Sequence, residues 1–145
     1  MTDFTLAQAN TIATVTLSRA RELNAQPLTV VVLDAGGHIK TAMREDDSGI
    51  ARFEIAYGKA WGALGMGISS RGLAARAAKF GSFFTALAAA TDGRVIPVPG
   101  GVLIKNDKGR IIGAVGVSGD TSDVDEVCAV AGVAAAGLEA DIEER

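Results

Sequence analysis

The feature that most constrains this chain is a pair of β-branched runs joined by Asn106-Asp-Lys-Gly109: residues 98–105 on one side and Arg110-Ile-Ile-Gly-Ala-Val-Gly-Val-Ser-Gly-Asp120 on the other. Asn, Asp and Gly tolerate the left-handed backbone of a tight turn, so the stretch predicts strand, turn, strand. The pattern occurs a second time upstream. Residues 28–33 are a continuous apolar run, as expected of a strand buried on both faces; Asp34-Ala-Gly-Gly37 is the turn, and residues 38–44 alternate like a return strand. Connections this short cannot carry a crossover, so the sheet is expected to be largely antiparallel. Gly113, Gly116 and Gly119 let either a ligand or a packed helix approach the backbone where the last strand ends. Their spacing does not fit a dinucleotide fingerprint.

Helical spacing surrounds these strands. Ala7, Ile12, Val15, Leu17 and Ala20 predict an amphipathic helix over 6–23. Further helices are expected over 50–64, 71–79 and 82–90, stopped by Gly65, Gly67 and Asp92-Gly93, and a final one over 122–138. Ser122 is placed to cap that last helix, with Asp125 closing a capping box. Residues 95–98 are short and proline-interrupted, so they read as an edge strand or a lead-in. Helices that arrive in blocks should cover the faces of the sheet, giving an α/β (α+β) fold. The 145 residues suffice for one domain over 1–145 with one core.

A formal net charge of −3 argues against nucleic acid as the main partner, since phosphate binding needs a concentrated basic face. Residues 2–24 are studded with Thr, Gln, Asn and Arg and do not resemble a signal peptide; no stretch reads as a membrane span, and a cytoplasmic location is expected. Cys128 is the single cysteine and lies among alanines and valines, so it reads as a small buried filler. Alanine-rich helices at 86–90 and 129–136 are expected to leave close-packing faces free, which predicts a homo-oligomer.

Among residues able to do chemistry, His38 is the only histidine. An imidazole is the commonest protein ligand to haem iron and titrates near neutrality, so His38 is a candidate metal ligand or general base; by position alone it also reads as a turn-adjacent histidine satisfied by backbone or water. One His and one Cys do not make an ordinary zinc site. Asp120, Asp123, Asp125 and Glu126 have the chemistry of a hard-cation site, but acidic side chains in a first helical turn are also what the helix dipole favours. Arg44, Arg52 and Lys59 are expected to point into one space, where a fork and an ammonium suit one or two carboxylates; surface ion pairs with Glu45, Asp46, Asp47 or Glu54 are the competing expectation. Phe53, Tyr57, Trp61, Phe80, Phe83 and Phe84 either wall a flat ligand or pack in a core or interface. Ser118 follows a strand and precedes a helix, but no histidine lies downstream to complete a hydrolase triad.

Taken together, Val31-Val-Leu-Asp-Ala-Gly-Gly-His38, Arg44, Lys59-Ala60, Pro99-Gly-Gly-Val102 and Gly113-Ala-Val-Gly-Val-Ser-Gly-Asp120 with Asp125-Glu126 resemble the GlcG/HbpS family, which includes the C-terminal domain of PduO-type proteins. The resemblance spans about residues 6–138. It implies a profilin-like three-layer sandwich with an antiparallel sheet of about five strands, homo-oligomers, and, from several members, haem as a ligand. Where members often have Arg-Met-Asp-Gly-Ala, this chain has Arg44-Glu-Asp-Asp-Ser-Gly49, which adds negative charge to that loop. Two functions follow as expectations. One is a small-ligand-binding protein of the GlcG/HbpS type that holds haem or a related ligand. The other is a catabolic isomerase, deaminase or hydrolase acting on a small unsaturated carboxylate. There Arg44 and Lys59 would hold carboxylates, His38, Asp120 or Asp125 would move a proton, and the backbone from Gly116 through Ser118 to Gly119 would stabilise an oxyanion.

Overall fold

The computed structural model describes residues 3–144. Its strands are β1 (Thr29–Asp34), β2 (Ile39–Arg44), β3 (Gly101–Lys105), β4 (Ile111–Ser118) and β5 (Glu139–Asp141), and its helices are α1 (Leu6–Glu22), α2 (Arg52–Met66), α3 (Ser70–Lys79), α4 (Gly81–Ala90) and α5 (Ser122–Ala135). The strands form one antiparallel sheet in the order β2-β1-β4-β3-β5. Strand alternation sorts the side chains between two faces. Val30, Val32, Val115 and Val117 meet Ile12, Ala129 and Val133 of α1 and α5. Val31, Leu33, Leu103 and Ala114 meet Ala56, Ala60 and Ala63 of α2. This is the three-layer sandwich expected from the sequence. Val30, Val31, Val32 and Leu33 of β1 are fully buried, each contributing about 1.5–3 kcal/mol relative to exposure.

The two hairpins are built alike. Asp34 Oδ1 accepts from the amides of Gly36 (2.9 Å) and His38 (3.0 Å), and Asn106 Oδ1 accepts from those of Lys108 and Arg110, both at 3.0 Å. A side-chain oxygen that takes over the turn's amides fixes both hairpins locally.

Of the two readings of residues 95–98 the lead-in holds: they pair with no strand, and the Ile96 amide donates to Gly58 O of α2 at 3.2 Å. Two expectations about the last helix need correction. The fifth strand is β5, just past the expected end of that helix, in a stretch where the sequence predicts no element. That helix stops at Ala135 because Gly137 adopts φ 75°, and the Leu138 and Gly137 amides return to Val133 O and Ala134 O in a Schellman pattern. The α5 cap is Thr121, whose side chain accepts from Val124 N, while Asp125 closes no capping box and turns inward.

The alanine-rich faces also part ways. That of α5 is used inside the chain: Gly132 packs so tightly on α1 that a Cβ there would lie 3.2 Å from the Ile12 carbonyl carbon. In contrast, α4 has no buried residue, and Phe80 and Phe83 stand 59% and 51% exposed. Cys128 is buried, and burial pushes its thiol up to about 11, as an inert filler requires. No helix among the described residues is long and apolar enough to cross a membrane.

Candidate functional site

The candidate residues gather at opposite ends of the sheet. Thr29 pairs with both Arg44 and Ser118, so the start of β1 and the ends of β2 and β4 share one corner on the α2 face. His38 lies beyond Ile39 at the far end of β2, roughly 20 Å along the strand from Arg44 by the rise per residue.

At the Arg44 corner a floor of buried polar groups sits under two guanidiniums. Asp47, with φ 70°, turns the chain after β2 so that Ser48 folds back over the strand ends. Arg44 Nη1 donates to Ser48 O at 2.9 Å, and Ser48 Oγ and Thr29 Oγ1 are hydrogen-bonded at 2.8 Å. Arg52, at the start of α2, donates through Nη1 to Ser118 Oγ at 3.1 Å. Among the described residues no carboxylate lies within 4.0 Å of either arginine. The expected ion pairs with Glu45, Asp46, Asp47 or Glu54 are not formed; Glu45 instead pairs with Arg21 at 3.1 Å and accepts from Leu28 N at 2.8 Å.

Behind this corner Lys59 is buried together with Asp125, their side chains 2% and 1% exposed. Lys59 Nζ donates to Val117 O at 2.8 Å and to Asp125 Oδ2 at 3.2 Å, while Asp125 Oδ1 accepts from the Asp120 amide at 3.0 Å. Burial pushes Lys59 down, and the Arg52 charge adds to that; the Asp125 charge opposes it. Burial pushes Asp125 up, and Lys59 opposes that. The ammonium reaches this place because Gly100 and Gly101 leave it room: a Cβ at Gly100 would lie 2.9 Å from Nζ. The Pro-Gly-Gly motif is therefore a lysine channel.

The glycines of β4 admit a helix. A Cβ at Gly116 would overlap the Ala56 carbonyl oxygen and lie 3.0 Å from the Ala60 nitrogen. Gly119, with φ 152°, lies against Pro27 and Leu28. Asp120 clamps the neighbouring loop, its oxygens accepting from the Gln26 and Thr121 amides at 2.7 Å each. These two bonds hold its carboxyl below the ordinary value against a smaller opposing effect of burial. Asp123 and Glu126 pair with Arg71 at 2.5 and 2.9 Å, and no group of acidic, histidine or cysteine side chains among the described residues has metal-site geometry.

At the other end, Asp3, Phe4, Asp34, His38, Arg110 and Ile112 contribute to an open cleft of about 340 Å³. The His38 side chain is 82% exposed, with Nδ1 3.3 Å from Asp34 Oδ1. Burial works against ionisation of Asp34, but the amides of His38 and Gly36 outweigh it and hold the carboxyl below its ordinary value, so it stays an anion behind the ring. Gly36 has no side chain where the ring lies; a Cβ would come within 2.9 Å of Nδ1 and Cε1. Asp34 was missed as a site residue. Its signal was the turn chemistry of Asp34-x-x-x-His38 itself, an acidic side chain at the first turn position with the histidine four residues on.

The aromatic residues do not form one wall. Phe53 and Tyr57 stack with centroids 5.9 Å apart, and Trp61 lies under Arg94, whose Cζ is 4.3 Å from the ring centroid.

A family model described as haem degrading protein HbpS-like matches residues 4–134. A Citrobacter freundii protein, described as an uncharacterized 15.0 kDa protein in the dhaT-dhaS intergenic region, is 32% identical over 126 residues, 86% of each chain. Among solved structures, a PduOC:heme complex superposes with a TM-score of 0.84 at 25% identity, covering 95% of this chain and 98% of that one. Protein ORFY of Klebsiella pneumoniae, of family DUF336, superposes with a TM-score of 0.83 at 27% identity, covering 94% and 92%.

Proposed function

The chain belongs to the family of HbpS-like haem degrading proteins, and on that premise we propose that it is a small-ligand-binding protein that takes haem at the His38 cleft. The observation that carries this reading is the imidazole of His38. Asp34 engages Nδ1 and leaves Nε2 exposed and without a partner among the described residues. A carboxylate behind one ring nitrogen fixes the ring and makes the other a better donor, as at metal-ligating histidines. Ile111, with the buried Phe4 and Ile112 beside it, gives the cleft an apolar lining for a flat macrocycle, and Arg110, 3.7 Å from Asp3, is a cation within the cleft for a propionate. Haem, when bound, would supply an iron centre, and His38 is the residue that would hold it.

Titration with hemin, followed by the Soret band, tests this. Wild type saturates stoichiometrically. His38→Ala and Asp34→Asn each weaken binding by about tenfold or more, the asparagine oxygen still serving the turn amides. Affinity unchanged in His38→Ala would sink the reading.

We further propose that the chain works as a homo-oligomer assembled through α4. Among the described residues only Phe84 and Leu87 tie this ten-residue helix to its own chain, against the Ile68–Leu73–Val95 cluster, and the exposed Phe83 on it and Phe80 at its N-cap are contact surface of the kind that interfaces cover. In sedimentation, wild type should run as a multiple of the chain mass and Phe83→Asp as a smaller species. A wild-type monomer at micromolar concentration would contradict this.

A further inference from the structure

We infer that the Arg44–Arg52 corner is a second ligand site, separate from the His38 cleft, and that it takes a small dicarboxylate. Two guanidiniums stand there without a carboxylate among the described residues within 4.0 Å, in a chain whose net charge is −3. Each is anchored from beneath by one Nη1 on a neutral acceptor, Ser48 O for Arg44 and Ser118 Oγ for Arg52, and keeps its remaining donors for solvent or a ligand. The anchors are rigid because they are buried: Thr29, Ser48 and Ser118 are 1%, 5% and 0% exposed, and Thr29 sits directly across the sheet from Ser118. Arginine side chains ordered in advance lose little further rotamer freedom on binding, so their charge-assisted hydrogen bonds count almost fully toward affinity.

The chemistry of the ligand follows from the forks. A guanidinium matches a carboxylate in two parallel hydrogen bonds, and two forks on either side of the Thr29–Ser118 pair match two carboxylates on one small molecule. Lys59 adds no net attraction, since Asp125 neutralises it at 3.2 Å, but it leaves the corner with the two arginine charges uncompensated. A dianion removes the like-charge repulsion between them.

Succinate is the probe, added at low ionic strength to the full chain and followed by calorimetry, with acetate and inorganic phosphate alongside. Succinate should bind at least about tenfold more tightly than either, and Arg44→Gln and Arg52→Gln should each weaken it by about tenfold or more, the loss of a charge-assisted pair. Lys79→Gln, which removes an exposed cation elsewhere, should leave it unchanged, and so should saturation with hemin. Equal binding of acetate, preference for phosphate, an undiminished affinity in both arginine variants, an equal loss in Lys79→Gln, or displacement by hemin would overturn the inference. Thermal melts of the arginine variants confirm that the fold persists.

Discussion

Lys59→Met should lower the stability of the fold by about 3–5 kcal/mol at neutral pH, because it leaves a buried carboxylate without its counter-charge. Lys59 is the largest of the fully buried side chains, and Asp125 has only the Asp120 amide left to accept from once the ammonium is gone. The sign of the pH dependence follows. Burial already raises Asp125 above its ordinary 3.8, and removing Lys59 removes the opposing attraction. A group whose folded value is raised stabilises fully below its unfolded value and loses that contribution as pH rises through the folded one. The deficit of the variant should therefore shrink on acidification. Adding Asp125→Asn to Lys59→Met should restore part of the loss, since the residual buried charge is gone. Urea unfolding of the two single variants and the double variant measures this; additive losses, with no pH dependence, would contradict a coupled pair.

Gly116→Ala should be nearly as damaging, at about 3 kcal/mol or more, through overpacking against backbone that cannot retreat. The added methyl would overlap the Ala56 carbonyl oxygen, and α2 cannot lift away without uncovering Val31, Leu33 and Leu103. Gly81→Ala is the contrast: nothing lies within 4 Å and its backbone is ordinary, so it should be neutral or slightly stabilising. If both substitutions were tolerated equally, α2 would not lie on β4 closely enough to bring Arg52 to Ser118.

What could be read from the sequence was what is decided locally. Asn106 and Asp34 announce their hairpins because a side-chain oxygen and a nearby glycine complete the turn with no help from elsewhere. α1 shows itself by spacing, and α2 to α4 by helix-favouring composition and by the glycines that stop them. By contrast, β5 has three residues and no alternation to speak of, and only the left-handed Gly137 marks its approach. Asp125 read as a capping residue because its partner is 66 residues away; nothing local distinguishes an aspartate that caps from one that turns inward toward a lysine. The site residues were recognised by type, but their grouping was not legible. The strand expected over 38–44 separates His38 from Arg44, as β2 does, but the contacts that join Arg44, Arg52 and Ser118 at one corner span 4 to 66 positions and leave no local signal.

A crystal structure of the hemin complex tests the central claim most directly. The account predicts iron ligated by His38 Nε2, with Asp34 still on Nδ1 and the macrocycle against Phe4, Ile111 and Ile112. Iron held by any other residue, or a macrocycle seated at the Arg44 corner or on α4 with His38 free, would contradict it.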